Sequence, residues 1–134
     1  MMRTLGWEDR LGALVLERMQ APFAWGENDC CMWPADAVQA MKGIDVAEDV
    51  RGTYESARGA TRVLVRLGGL PAALARTGTP IAPLCATVGD IGLVTAGGEM
   101  EVGGVCMGDH WLVVAKNGLG QVPLSAALQA WRVA

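Results

Sequence analysis

Histidine is almost absent from this chain: 134 residues carry one, His110. Chemistry that needs an imidazole as base or ligand therefore has a single position to work from. Tyrosine and phenylalanine also occur once each, although there are five tryptophans. There is no run of Lys and Arg, and the net charge is −3. That balance excludes a nucleic-acid surface, because phosphate binding rests on clustered cations. No apolar segment approaches the ~20 residues needed to cross a bilayer. The N-terminus alternates charged and apolar residues, unlike a signal peptide, so the expectation is a cytoplasmic product with no membrane span. The four cysteines, Cys30, Cys31, Cys85 and Cys106, contain no Cys-x-x-Cys pair. Disulfides are not expected in that setting, and a metal or iron–sulfur site requires distant cysteines to converge or a partner to donate ligands.

What is present suits one domain with a real core: aliphatic and small residues dominate, with 18 glycines. Residues 7–20 place Leu11, Leu14, Val15 and Met19 at helical spacing, and Ala21-Pro22 ends that helix. A second helix is expected over 30–41, stopped at Gly43, and a third over 54–67, capped by Thr53. In the third, Val63, Leu64 and Leu67 face inward, while Arg58, Arg62 and Arg66 form a basic stripe. Residues 70–76 make a short helical piece and 80–83 a loop. The period then turns extended, with strands expected at 88–94, 102–107, 111–115 and 120–123, and a closing helix over 125–131. Helices first and an antiparallel sheet after is an α+β order.

The chemically suggestive stretch is Trp25-Gly26-Glu27-Asn28-Asp29-Cys30-Cys31-Met32-Trp33-Pro34. It reads as a tight turn entering a helix, with Asn28 or Asp29 as N-cap and Pro34 tolerated early. Cys30 then sits near unpaired backbone N–H groups and the positive end of the helix dipole, which favours the nucleophilic thiolate. The Asp29 carboxylate opposes that effect, so a basic partner is required. Cys31 is expected to face elsewhere, into the core. The alternative for Cys30 itself is a small buried hydrophobe. Asp36, six residues on, is too far round the helix to serve as base and is expected to pair structurally. Phe23 and Trp25 either anchor the turn or wall a groove.

The pattern Trp-Gly-x-x-Asp-Cys, followed by Trp33 and Ala35-Asp36-Ala37-Val38, resembles the nucleophile motif of NlpC-type cysteine peptidases, papain-like enzymes that cut peptidoglycan stem peptides. It is more similar still to a phage tail-associated family of unknown function that is a diverged branch of that fold. Arg51-Gly52-Thr53-Tyr54, the Gly89-Asp90 strand entry, Gly-x-Cys-x-Gly at residues 104–108 and Ala130-Trp131-Arg132-Val133 extend the resemblance over nearly the whole chain. It implies a single papain-like domain with Cys30 as nucleophile and Trp25, Asp29, Trp33 and Tyr54 around a substrate site. Two registers compete for the base. In one, His110 opens the catalytic strand, oriented by Asn117 or Gln121. In the other, which is slightly favoured, the His position falls on Val102 beside Glu101 and the site has no base. Backbone N–H groups around Cys30 could serve an oxyanion in either register. The expectation is a tail-tip component made in the host cytoplasm, binding other tail proteins, with a degenerate hydrolase site and no cofactor. The alternatives are an active peptidase or amidase on peptidoglycan stem peptides, and a metal or cluster site drawn from the four cysteines.

Overall fold

Four helices precede a six-stranded antiparallel sheet in the computed structural model, which describes residues 2–134. The helices are α1 (Trp7–Arg18), α2 (Met32–Lys42), α3 (Ala57–Leu67) and α4 (Leu70–Leu74). The strands are β1 (Thr79–Ile81), β2 (Ile91–Ala96), β3 (Met100–Cys106), β4 (His110–Ala115), β5 (Gly118–Pro123) and β6 (Ala127–Arg132). They lie in the order β1-β6-β2-β3-β4-β5, every pair antiparallel. Among the described residues no helix is long and apolar enough to cross a membrane.

The expected elements are largely there, and the differences have local causes. α3 starts later than expected because Ser56, not Thr53, caps it: Ser56 Oγ accepts the Gly59 N–H at 3.1 Å. The Thr53 hydroxyl instead donates to the Val50 carbonyl at 2.5 Å. As read from the spacing, α3 turns Val63 inward, half-buries Leu64 and Leu67, and leaves Arg58, Arg62 and Arg66 exposed.

The expected C-terminal helix over 125–131 is a correction. One short 3-10 turn at Leu124–Ala126 leads into β6, which pairs with both β1 and β2. Ala-Leu-Gln-Ala favours helix in isolation, but burying Ala130 and Trp131 between two strands outweighs that preference. A bulge absorbs the mismatch: Leu93 faces Gln129 and Val94 faces Ala127, which leaves Leu128 unpaired and exposed. β1, expected as loop, exists as the edge partner of β6, where Pro80 is tolerated.

The sheet has two apolar faces. Ile91, Leu93, Val105 and Trp131 meet Leu11, Trp33 and Val38 of the helices, while Val94, Cys106, Trp111 and Val113 pack beneath the loops on the other side. α2 is pinned to the sheet by the Trp33 indole, which donates to the Leu112 carbonyl at 2.9 Å. The two chain ends meet at Asp90, whose side chain is fully buried. It accepts from the Val133 N–H at 3.1 Å and the Thr87 N–H at 2.9 Å, and pairs with Arg3 at 3.2 Å and Arg132 at 3.3 Å.

Replacing Asp90 by Ala leaves the Arg3 and Arg132 guanidiniums facing one another and orphans two backbone donors. The expected loss is ~3 kcal/mol, discounted because both arginines are partly exposed, and is read from urea denaturation midpoints.

Candidate functional site

The turn before α2 is built around the Asp29 carboxylate. Asp29 is buried, and its Oδ1 accepts the N–H groups of Cys31 at 3.0 Å and Met32 at 2.9 Å. Its Oδ2 accepts the Gly26 N–H at 2.8 Å and the Tyr54 hydroxyl at 2.6 Å. The first helical bond, from Trp33 N–H to the Asp29 carbonyl at 3.0 Å, shows that Asp29 acts as the cap. Gly26 has φ of 81°, and a Cβ there would collide with the Tyr54 carbonyl, so only glycine fits that corner. Two of the residues expected around a substrate, Asp29 and Tyr54, are thus engaged with one another. Burial and the bond to Asp29 push the Tyr54 phenol far above its ordinary range.

The Arg51-Gly52-Thr53-Tyr54 element acquires a structural purpose from the same region. Arg51 pairs with Asp36 at 2.8 Å and Asp45 at 2.7 Å, and Arg18 holds the other Asp36 oxygen at 2.7 Å. Asp36 is the structural pairing residue that its helical position suggested. With Arg51 at one end and Tyr54 at the other, the element clamps the connection between α2 and α3 onto the Cys30 turn.

Cys30 and Cys31 line a small apolar pocket of about 50 Å³, together with Val50, Val63, Leu67, Leu74, Trp25 and Tyr54. Cys31 is a correction to the sequence reading: it does not enter the core but lines the same pocket as Cys30. With Asp29 as cap, the two cysteines occupy the first two positions after it and border one pocket. That Asp-Cys-Cys order is the signal in the sequence that could have revealed the pair. The Cys31 S–H stabilises the Cys30 thiolate, and this outweighs burial and the Asp29 charge to hold the Cys30 thiol below its ordinary value. The Cys31 thiol is correspondingly pushed far up. Cys85 is exposed on a 3-10 turn and Cys106 is buried in β3. The four cysteines do not converge, and among the described residues no three potential ligands are placed to hold a metal ion.

The sheet offers Cys30 no base. β3 passes beneath the turn at Gly103, where an added Cβ would collide with the Cys30 carbonyl and come within 2.7 Å of Pro34 Cγ. Val102, the favoured position for the missing base, points to the opposite side of the sheet and packs with Val94, Cys106 and Trp111. His110 lies elsewhere: its carbonyl accepts the Met107 N–H, four residues along β3 from Gly103. At ~3.3 Å per residue that is roughly 13 Å along the sheet, far outside hydrogen-bond reach. Its Nδ1 instead lies 2.6 Å from Asp109 Oδ1 in the exposed hairpin. Asn117 and Gln121 are exposed on the β4–β5 hairpin and make no bond to it. Of the oxyanion donors expected around Cys30, the Cys31 and Met32 N–H groups both point at Asp29, and only the N–H of Cys30 itself remains, directed at its own sulfur.

The remaining expected site residues separate cleanly. Trp25 stacks edge-on against Phe23, with ring centroids 4.7 Å apart, and is 38% exposed beside the pocket. Trp33 is fully buried among core residues and cannot contact a substrate; its spacing on α2 reads equally well as core.

Tyr54→Phe removes one bond to the carboxylate while keeping the ring, and ~2 kcal/mol of stability should go with it at neutral pH. Because the folded-state pKa of Tyr54 is raised, its contribution is intact below the free phenol value of ~10 and is lost as pH rises above it. Urea titrations at neutral pH and above pH ~10 should therefore show the gap between wild type and Tyr54→Phe closing under alkaline conditions; a gap that widens refutes this account of the clamp.

No curated protein matches the chain. A family model described as Domain of unknown function (DUF6950) matches residues 2–133. Since that match takes in all but the two terminal residues, the chain belongs to the DUF6950 family.

Proposed function

We propose that this chain is a structural or assembly component of a bacteriophage or prophage tail, built on a papain-like frame of the NlpC type whose hydrolase site is degenerate. One observation carries the degenerate part. The carbonyl of the cysteine in the nucleophile's place lies against Gly103 of the sheet, and the Cys31 and Met32 N–H groups beside it are already bonded to Asp29. Thiol hydrolysis needs a base to deprotonate the thiol and protonate the leaving amine, and it needs donors for the tetrahedral oxyanion. No base stands beside Cys30, and of the neighbouring N–H groups only that of Cys30 itself is left for an oxyanion. The α+β order, with the Cys-bearing turn packed on an antiparallel sheet, supports the papain-like frame. The tail assignment rests on the motif resemblance from Trp25 to Val133, and it names neighbouring tail proteins as partners.

The depressed Cys30 thiol favours the second reading, an active peptidase or amidase on peptidoglycan stem peptides. Its main source is Cys31, however, which supplies no base.

The two readings part in one set of measurements. Alkylation of each cysteine against pH, followed by mass spectrometry, should give a Cys30 profile that is unchanged in His110→Ala. Purified protein should release no stem peptide from peptidoglycan sacculi, and it should co-purify with adjacent tail proteins when they are co-expressed. Peptide release abolished by Cys30→Ala would overturn the degenerate-site reading, and a chain missing from purified virions and from tail complexes would overturn the tail role.

A further inference from the structure

We propose that Cys30 and Cys31 form a thiol–disulfide exchange site that accepts a low-molecular-weight disulfide of the glutathione class. The inference does not rest on the tail assignment or on any hydrolase activity. It stands on placement: two neighbouring thiols, both half-buried, open onto the same apolar pocket, while Cys85 and Cys106 lie outside it. No imidazole or free carboxylate competes for the pair, because His110 is elsewhere on the sheet and both Asp29 oxygens are engaged.

The roles of the two sulfurs follow from their surroundings. Exchange begins with a thiolate, and Cys30 is the sulfur whose anion is stabilised by a neighbouring S–H. The Cys30 thiolate attacks one sulfur of the small disulfide R–S–S–R. A Cys30–S–S–R bond forms and R–S⁻ departs. The departing thiolate takes the Cys31 proton, and the Cys31 sulfur then attacks the Cys30 sulfur. The Cys30–Cys31 bond forms and the second R–S⁻ leaves, collecting a proton from water. The protein dithiol is oxidised by two electrons and the small disulfide is reduced to two thiols.

The ring closed by adjacent residues is strained, because their Cα atoms sit about 3.8 Å apart across a trans peptide, short of the about 4.4 to 6.8 Å that disulfides usually span. Strained disulfides are the easily reduced, regulatory class. The bond should therefore form under oxidising conditions and reopen readily. Closing it also pulls on the Cys31 N–H that Asp29 holds, which links the redox state of the pair to the cap of α2.

The test uses the intact, folded chain, oxidised glutathione as the probe, a maleimide quench and peptide mapping by mass spectrometry. The expected product has lost two hydrogen atoms at Cys30–Cys31, resists the maleimide until reduced, and leaves Cys106 untouched, with a stable glutathione adduct confined to exposed Cys85. Cys31→Ser should trap glutathione on Cys30, with about tenfold more adduct there than in the wild type. A wild-type chain whose Cys30 keeps the adduct, or stays a free thiol while Cys85 reacts, overturns the proposal, and this readout needs no variant to fold. An equal Cys30 adduct level in wild type and Cys31→Ser overturns it as well.

Discussion

The buried Asp29 carboxylate is the constraint on which the site depends. Taking a charge out of water is costly unless the surrounding groups replace its hydration. Here four donors do so: three backbone N–H groups and one phenol. Each bond fixes a different piece of chain. The Gly26 bond closes the turn, the Cys31 and Met32 bonds start α2, and the Tyr54 bond brings in the segment that leads to α3. Removing the carboxylate would orphan all four donors together, so the turn, the helix start and the loop stand or fall as one unit.

The same arrangement decides what the thiols can do. A helix start normally presents unpaired N–H groups that favour anions, which is why it suits a nucleophilic cysteine. In this chain the anion already bound there is Asp29, one residue before Cys30. The position that would activate the thiol is filled by the group that holds the turn together. What remains to stabilise a Cys30 thiolate is its neighbour Cys31 and its own backbone N–H, a setting that suits the sulfur exchange proposed above better than acyl transfer.

Much of the fold was legible in the sequence, and the misses have identifiable causes. Helices α1 and α3 were readable because their apolar positions recur at helical spacing, and the β4–β5 turn because Asn117-Gly118 is a strong hairpin signal. β6 was not, since Ala-Leu-Gln-Ala carries helix propensity and its strand identity comes from two neighbours distant in sequence. At the site, Cys30, Asp29, Tyr54 and Trp25 were readable as a group. The direction of their interaction was not, because a carboxylate beside a thiol can serve the substrate or the backbone, and only three-dimensional placement tells which. Trp33 illustrates the same ambiguity on a helix, where a core-facing and a groove-facing position share one spacing.

The absence of a base is built into the packing and is not a single missing residue. For a side chain on β3 to face Cys30 it would have to stand at residue 103, because strand alternation sends Val102 to the opposite face. At residue 103, however, the start of α2 lies against the strand closely enough that even a methyl group collides with the Cys30 carbonyl and crowds Pro34 and Leu74. An imidazole there would force α2 off the sheet, which would break the Trp33 bond to the Leu112 carbonyl and open the core shared by both. A histidine at 102 would instead enter the apolar cluster with Trp111 and carry an unsatisfied ring nitrogen into it. Neither position offers Cys30 an imidazole with the present packing of α2 on the sheet. The close contact at Gly103 thus gives α2 its seat on the sheet and, by the same geometry, keeps a base away from Cys30.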